Sequence, residues 1–263
     1  MSRAQHLEIV ALAVGGHPDD IEFMMAGTLL LLAEAGARIH MWPMTDGSLG
    51  SSGPDRVATA ATRLDEACAS ARLAGAVFHG PIARDMELEY SVDLVSRAAA
   101  VIRRAAPHIL LLPAPDDYHP DHRNASSIAV AGAFAARLGA FDSRPPAPQV
   151  EGEMTLYHAM PFGLRDEMRK RVAADLYVDV EGEMEHKRMM LAEHRSQREW
   201  LLASQGSDYL AAMEEMCLVA GRDSGCFEYA EGWRHHLNLG FSNSDDDPLA
   251  DLLGPLCTDA VRE

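Results

Sequence analysis

Two short, related motifs constrain this chain most, because each follows an apolar run of the kind that forms a buried strand. His17-Pro18-Asp19-Asp20 follows residues 9–14, and His119-Pro120-Asp121-His122 follows residues 109–112. In α/β proteins, the loops beyond the carboxyl ends of parallel strands form the ligand site. Imidazole nitrogens and carboxylate oxygens together suit zinc. The two motifs therefore suggest a catalytic metal centre with a spare carboxylate beside it.

Alternating strand-like and helix-like segments predict the fold class. Short apolar runs predict strands at 9–14, 38–44, 76–79 and 109–112. Helices are expected at about 21–35, 55–73, 91–104 and 123–138. This order predicts an α/β protein with a Rossmann-like, mostly parallel sheet flanked by helices.

The second half of the chain is less regular in pattern. A proline-rich loop at 143–148 precedes further predicted strands at 154–158 and 176–180 and helices at 183–200 and 209–219. The last part, 244–263, is acidic and weakly patterned. We predict a single domain over 1–263, with its core at about 8–200 and a C-terminal α+β extension at about 201–263.

Composition excludes several classes of protein. The 263 residues carry a formal net charge of -17, which argues against a nucleic-acid partner because such surfaces cluster Lys and Arg. No apolar run approaches the roughly 20 residues of a membrane span. The N-terminus, 1–14, lacks the pattern of a signal peptide, so a cytoplasmic location is the default expectation. The four cysteines form no CxxC pair and are expected to be scattered thiols.

The spacing within each motif can bring its polar side chains together. His17 and Asp20 are three residues apart across a strand-to-helix turn, so both can face one point, and Asp19 can lie beside a metal-bound water without binding the metal. His119 and His122 have the same spacing. Helix starts are the structural alternative for both motifs, because Asp caps helices and Pro opens them. Two His-Pro-Asp triplets after two separate strands favour the metal centre.

At this point the chain resembles the PIG-L/LmbE-like zinc-dependent de-N-acetylases. The resemblance runs from about residue 8 to 200 and rests mainly on the paired motifs. The residues that carry it are Gly16-His17-Pro18-Asp19-Asp20, Gly27-Thr28-Leu29, Thr45-Asp46-Gly47, Arg63 and Glu66, His119-Pro120-Asp121-His122, and Lys187, Leu191, His194, Ser196 and Gln197.

The resemblance implies one zinc ion per chain, held by His17, Asp20 and His122, with Asp19 as the general base; iron or manganese can replace zinc, since ligand type does not fix the metal. It also implies that His119 assists at the carbonyl oxygen or the leaving nitrogen. Three protein ligands leave a position for water, as catalytic zinc requires, and zinc lowers the pKa of that water toward about 7. Asp19 would take the water proton, and a protonated His119 would stabilise the oxyanion.

The residues expected to contact the substrate are indicated by less specific matches than the metal ligands are. Arg63 matches a family position associated with substrate binding, and a helix-surface ion pair with Glu66 explains it equally well. Asp85 falls, by position only, where the family often places an acid that contacts the sugar. We interpret His194 as structural rather than as part of the cavity mouth.

The leading hypothesis is a zinc amidohydrolase that removes acetyl from an N-acetylglucosamine-type substrate. The alternatives are a related metallo-amidase that cuts a different amide of an amino-sugar conjugate, and a metal- or sugar-binding protein without turnover. A dinucleotide oxidoreductase is excluded, because Gly15-Gly16-His17-Pro18 is not GxGxxG. The expected partner is a small amino sugar, with no nucleic acid and no membrane span, and homo-oligomerisation stays open.

Overall fold

The computed structural model describes residues 8–51, 53 and 55–260. The expectations for the N-terminal residues 1–7, for positions 52 and 54 of the predicted loop and for 261–263 lie outside the described residues. The strands in the described part are β1 Val10–Gly15, β2 Arg38–Pro43, β3 Val77–Phe78, β4 Ile109–Leu112, β5 Thr155–Ala159, β6 Leu176–Asp179, β7 Ala230–His235 and β8 Cys257–Asp259.

The α-helices of the same residues surround these strands. They are α1 Asp20–Met24, α2 Ala26–Glu34, α3 Arg56–Leu73, α4 Val92–Ala105, α5 Pro120–Ala136, α6 Met184–Ala192, α7 Arg195–Gln205, α8 Tyr209–Ser224 and α9 Pro248–Leu253. Short 3-10 helices lie at Phe162–Leu164, Glu181–Glu183 and Gly254–Leu256. No helix within the described ranges has both the length and the apolar composition needed to cross a membrane.

All the strands form one sheet in the order β3-β2-β1-β4-β5-β7-β6-β8. The first five pair in parallel, so the predicted α/β class with a Rossmann-like, mostly parallel sheet is confirmed. From β1 the chain adds β2 and then β3 on one side, and it then crosses back so that β4 pairs with the other side of β1. The strand order therefore reverses between β1 and β4. A crevice opens at such a switch point, at the carboxyl ends of the strands. The two His-Pro-Asp motifs follow these two strands.

The C-terminal part of the chain completes the same sheet. β7 lies between β5 and β6 and is antiparallel to both, and β8 pairs antiparallel with β6 at the edge. The predicted α+β extension at 201–263 thus contributes α8, β7, α9 and β8 in its described residues. The division of the domain into core and extension stays a prediction.

Apolar layers cover both faces of the sheet. Along β1, Ala11 and Ala13 pack in the layer that includes α2, α6 and α8, whereas Leu12 and Val14 pack in the layer of α4 and α5. Side chains of a strand alternate between faces, and all four are fully buried. Burial on both faces explains why this strand reads as a continuous apolar run rather than as an alternating one.

The prediction of one helix at 21–35 is wrong in one respect, because the structure has two helices there, α1 and α2, separated at Met25. The break frees backbone amides at the start of α2, and the Glu231 carboxylate of β7 accepts from the N–H groups of Gly27 (2.9 Å) and Thr28 (2.8 Å). A carboxylate is favourable at a helix N-terminus. A Cβ on Gly27 would lie 2.5 Å from Val180 Cγ1, so this close packing requires glycine.

The predicted helix at 183–200 is also interrupted, between α6 and α7. His194 lies at the junction, fully buried, with its Nε2 3.0 Å from Glu22 Oε1. Glu66 of α3 then accepts from the backbone N–H (2.9 Å) and hydroxyl (2.6 Å) of Ser196 at the start of α7. Tertiary contacts with α1 and α3 therefore replace the helical hydrogen bonds lost at the break.

Candidate metal centre

The first motif forms a tight turn after β1. Asp20 Oδ2 accepts from the backbone N–H groups of Gly16 and His17, each at 2.8 Å, which fixes the orientation of this carboxylate. Asp19 adopts φ 113°, ψ -25°, a left-handed conformation that costs a non-glycine residue about 1–3 kcal/mol. A Cβ on Gly16 would lie 2.9 Å from His122 Cδ2, so glycine here lets the two motifs approach each other.

The second motif forms the start of α5. His119 is the N-cap, its Nδ1 accepts from the Asp121 N–H at 3.2 Å, and Pro120 occupies the first turn. A neutral imidazole that accepts at Nδ1 carries its proton on Nε2. His119 therefore has an N–H to donate, and its ring lines the cavity between the two motifs.

The side chains of His17, Asp20 and His122 converge on one point. His17 Nδ1 lies 3.2 Å from His122 Nε2, His122 Nε2 lies 3.3 Å from Asp20 Oδ2, and His17 Nδ1 lies 3.7 Å from the same oxygen. Tetrahedral zinc with bonds of about 2.0–2.1 Å separates its ligand atoms by about 3.3–3.4 Å. The three atoms therefore fit three corners of a tetrahedral zinc site.

His119 is the alternative third ligand. One nitrogen from each of His17, His119 and His122 lies within 4.8 Å of the others, and the His119 ring is 4.6 Å from that of His17. We favour Asp20, because its Oδ2 lies 3.3 and 3.7 Å from the other two ligand atoms and two backbone amides hold it in place.

Buried carboxylates orient both histidines from the other side of the ring. His17 Nε2 lies 3.2 Å from Asp121 Oδ2, and His122 Nδ1 lies 2.9 Å from Asp117 Oδ1. Metal-binding histidines generally make such a contact with their second nitrogen, which fixes the ring and raises its basicity. Sequence reasoning expected Asp117 only to help shape the pocket and did not assign the orienting role to either carboxylate.

The electrostatics of this cluster favour a cation. Burial alone would lower the pKa of His122, but the carboxylates of Asp20 and Asp117 raise it to about 9. Despite burial, His122 and His17 hold the pKa of Asp20 well below its ordinary value. The excess negative charge that stabilises a proton here also attracts a divalent metal, whose binding displaces such protons.

Asp19 lies against Arg63 rather than among the three converging atoms. The buried Arg63 guanidinium is 3.1 Å from Asp19 Oδ2 and donates to the carbonyl oxygens of Pro18 (2.6 Å) and Gly47 (3.1 Å). Burial raises the pKa of Asp19, and Arg63 opposes that rise. The surface ion pair with Glu66 is not formed, since Glu66 caps α7.

The remaining predicted residues lie around this centre. Asp85 Oδ1 is 3.5 Å from His17 Nε2 while its Oδ2 accepts from the Leu49 N–H at 3.0 Å, and the residue lines the cavity. His194 is buried behind Asp19, beside Glu22, in agreement with a structural role. Tyr209 of α8, which sequence reasoning missed, also lines the cavity. The roles of Arg63 and Asp85 toward a substrate stay predictions.

The cavity at the centre has a volume of about 720 Å³. A larger groove of about 940 Å³ lies elsewhere, lined by Phe134, Leu138 and His236 among others. That groove contains none of the residues of the two motifs, whereas the smaller cavity contains His17, Asp19, Asp20, His119 and His122. We therefore place the functional site in the smaller cavity.

Comparison with known proteins agrees with this placement. Residues 12–133, which include both motifs, match the PIG-L family, described as GlcNAc-PI de-N-acetylase. The diacetylchitobiose deacetylase of Thermococcus kodakarensis is 31% identical over 137 residues, which cover 50% of this chain and 51% of that protein. The matched part thus spans about half the length of this relative.

Solved structures show the same fold over most of the chain. The N,N'-diacetylchitobiose deacetylase from Pyrococcus horikoshii, in complex with an inhibitor, superposes with a TM-score of 0.72 and 25% identity over 92% of this chain and 88% of that one. The 4-carboxy-2-hydroxymuconate hydratase of Pseudomonas putida superposes equally well, with a TM-score of 0.72 and 22% identity over 91% of this chain and 99% of that one. In its motifs, its sheet and these matches, the chain is similar to the PIG-L/LmbE-like deacetylases, with the family match itself confined to residues 12–133.

Proposed function

We propose that this protein is a zinc-dependent hydrolase that removes the N-acetyl group from an N-acetylglucosamine-type substrate. One observation carries the proposal: two imidazole nitrogens and one carboxylate oxygen lie 3.2–3.7 Å apart, and a further carboxylate, Asp19, is held beside them by Arg63. A site that only binds metal has no use for the additional carboxylate, whereas hydrolysis needs a base.

The comparisons support the reaction type. The family is described as a de-N-acetylase, and the curated relative and one solved neighbour are named as deacetylases of diacetylchitobiose. The fold alone does not choose the reaction, because a hydratase shares it. The choice of amide hydrolysis therefore rests on the family match together with the geometry of the two motifs.

His17, Asp20 and His122 would hold the zinc ion. When bound, it would supply an acidified water and polarise the amide carbonyl of the substrate. Asp19 accepts the proton of the attacking water, and its elevated pKa, caused by burial, makes it a better base than an exposed aspartate. Arg63, 3.1 Å from Asp19 Oδ2, holds this carboxylate in place at the cavity.

His119 is suited to the carbonyl oxygen. Because its Nδ1 accepts from the Asp121 amide, its Nε2–H is available to donate to the oxygen that gains negative charge when water adds. Cleavage of the C–N bond then releases acetate and an amine that must gain one proton. Because Nδ1 of His119 is occupied as an acceptor, loss of its Nε2 proton would leave an imidazolate, so Asp19, which has taken a proton from the water, returns it to the amine.

The first experiment measures metal content and acetate release together. We expect about one zinc per chain in the wild type, loss of zinc in His122→Ala, and acetate release from at least one member of a panel of N-acetylglucosamine derivatives. A wild type that binds no zinc even when reloaded would overturn the proposal.

A second pair of measurements separates the alternatives. Asp19→Asn should keep its zinc and lose turnover, whereas a metal- or sugar-binding protein would show no turnover in either form. Substrates that carry other acyl groups on the same nitrogen test the related metallo-amidase. Faster release of another acid than of acetate would replace the N-acetyl assignment with that amide.

A further inference from the structure

The cavity is larger than one amino sugar requires. Its volume is about 720 Å³, whereas the about 15 non-hydrogen atoms of an N-acetylhexosamine, close-packed at about 20 Å³ each, fill roughly 300 Å³. If the acetamido group lies at the metal end, about half of the cavity remains for the rest of the substrate, toward the mouth.

The mouth of the cavity is lined by large apolar side chains that remain exposed. Leu49, Met86, Tyr118 and Phe162 all line it, and their exposed fractions are 43%, 52%, 57% and 44%. We call these four residues the apolar rim. They come from three loops and a short 3-10 helix, yet they line one cavity. Exposed apolar residues that gather around a cavity indicate a surface that binds an apolar group.

The apolar rim is fixed to the metal centre. The Phe162 ring lies 5.2 Å from that of Phe23 and 5.7 Å from that of Tyr118. The Phe162 N–H donates to Asp117 Oδ2 at 2.8 Å, and the other oxygen of that carboxylate lies 2.9 Å from His122 Nδ1. Because these contacts hold Phe162 in place before a ligand arrives, binding to the rim there costs little conformational entropy.

We propose that the apolar rim binds an apolar aglycone, so that the substrate is an N-acetylamino sugar joined to an alkyl or aryl group. This inference rests on the proposed function and narrows its substrate class. The four rim side chains carry no formal charge, and burying alkyl carbon against them would remove apolar surface from water on both partners. Arg165 and Arg169 also line the mouth, so an anionic aglycone is the competing occupant that the test must separate.

The activity test compares glycosides that share the N-acetylglucosamine group and differ only in the aglycone. For the zinc-loaded wild type, we expect kcat/KM for acetate release to be about tenfold or more higher for the hexyl than for the methyl glycoside, since five additional methylenes become partly buried. Phe162→Ala should reduce this ratio severalfold. Phe134→Ala is the matched control, because Phe134 is 47% exposed but lines the other groove, and it should keep the wild-type ratio.

A binding test keeps this inference distinct from the proposed function. Calorimetry with hexyl and methyl glucosides, which have no acetamido group, should give tighter binding of the hexyl compound in the wild type and Phe134→Ala, and a loss of that preference in Phe162→Ala. This pattern without acetate release from any glycoside would support the rim and overturn the deacetylase. Equal hexyl preference in both variants overturns the rim. A short carboxyalkyl aglycone that binds better than hexyl would also overturn it, in favour of the arginines.

Discussion

Asp117 is the carboxylate whose removal tests the metal centre most directly. Its Oδ1 lies 2.9 Å from His122 Nδ1, its Oδ2 accepts from the Phe162 N–H at 2.8 Å, and the side chain is buried. The amide of Asp117→Asn can adopt two orientations. If its oxygen faces His122, its NH2 group faces the Phe162 N–H; if the amide is reversed, the NH2 group faces the imidazole N–H of His122. The first orientation loses the hydrogen bond from Phe162, and the second loses both the contact with His122 and the hydrogen bond that the backbone N–H of His119 donates to Oδ1 at 3.0 Å.

The expected loss of zinc affinity follows from the role of carboxylates that orient metal-binding histidines. Loss of a group that orients a metal-binding histidine typically lowers metal affinity about 10–100-fold, which corresponds to about 1.4–2.7 kcal/mol of binding free energy. The measurement is zinc affinity by competition with a chromophoric chelator at one fixed pH, with acetate release recorded in parallel.

The adjacent residue provides the control. Asp116→Asn removes the same charge one position away, but Asp116 is paired with Arg234 through two contacts of 2.7 and 3.0 Å at a more exposed position. We expect its zinc affinity to stay within about twofold of the wild type, since exposed ion pairs contribute only about 0–1 kcal/mol. Equal zinc affinities for the two variants would refute the reasoning that His122 is a ligand oriented by Asp117.

Three further predictions concern other charged or titratable side chains. Lys187→Met leaves the buried Glu231 without its cation, which lies 2.5 Å away. The free energy of unfolding should fall by about 3–5 kcal/mol, which lowers the melting temperature by about 6–20 °C. A fall in stability below about 1 kcal/mol would contradict this prediction. Arg63→Lys should lower kcat at least tenfold with zinc content unchanged, because an ammonium cannot replace the three contacts of the guanidinium, whereas a change in KM alone would indicate a substrate contact. Burial, together with His40, lowers the pKa of His79 to about 4 in the folded protein, below its ordinary value of 6.5. Because the unfolded chain binds this proton more readily, the folded protein loses stability as pH falls from about 6.5 toward 4, and His79→Gln should flatten the dependence of melting temperature on pH over that range.

Local patterns predicted the half of the fold that carries the motifs. β1 and β4 are buried on both faces, so their sequences are continuous apolar runs, and the polar residues that follow them had to lie at the carboxyl ends of the strands. The right-handed crossover rule then places these strands in one parallel sheet. Both motifs were therefore expected at the same edge of the sheet, whereas the pairing of β1 with β4, which brings His17 and His122 together, is seen only in the structure.

Contacts between distant parts of the chain could not be predicted in the same way. β7 contains Glu231, Gly232, Arg234 and His235, which no strand pattern favours, and it forms because it pairs with β5 and β6. Arg63 and Glu66 have the spacing of a helical ion pair, yet each finds a stronger partner in another segment, Asp19 and Ser196. Asp117 carries no local signal that separates it from its neighbour Asp116.

The carboxylate of Glu231 connects the C-terminal part of the chain to the N-terminal part. It accepts from the amides at the start of α2 and pairs with Lys187, so the helix that follows the first motif obtains its partners only when residue 231 is present. During synthesis on the ribosome, residues 12–133 would leave the exit tunnel long before β7 exists. We therefore expect that this segment alone does not reach its final structure, and that versions truncated before residue 231 lose the metal centre although they retain both motifs.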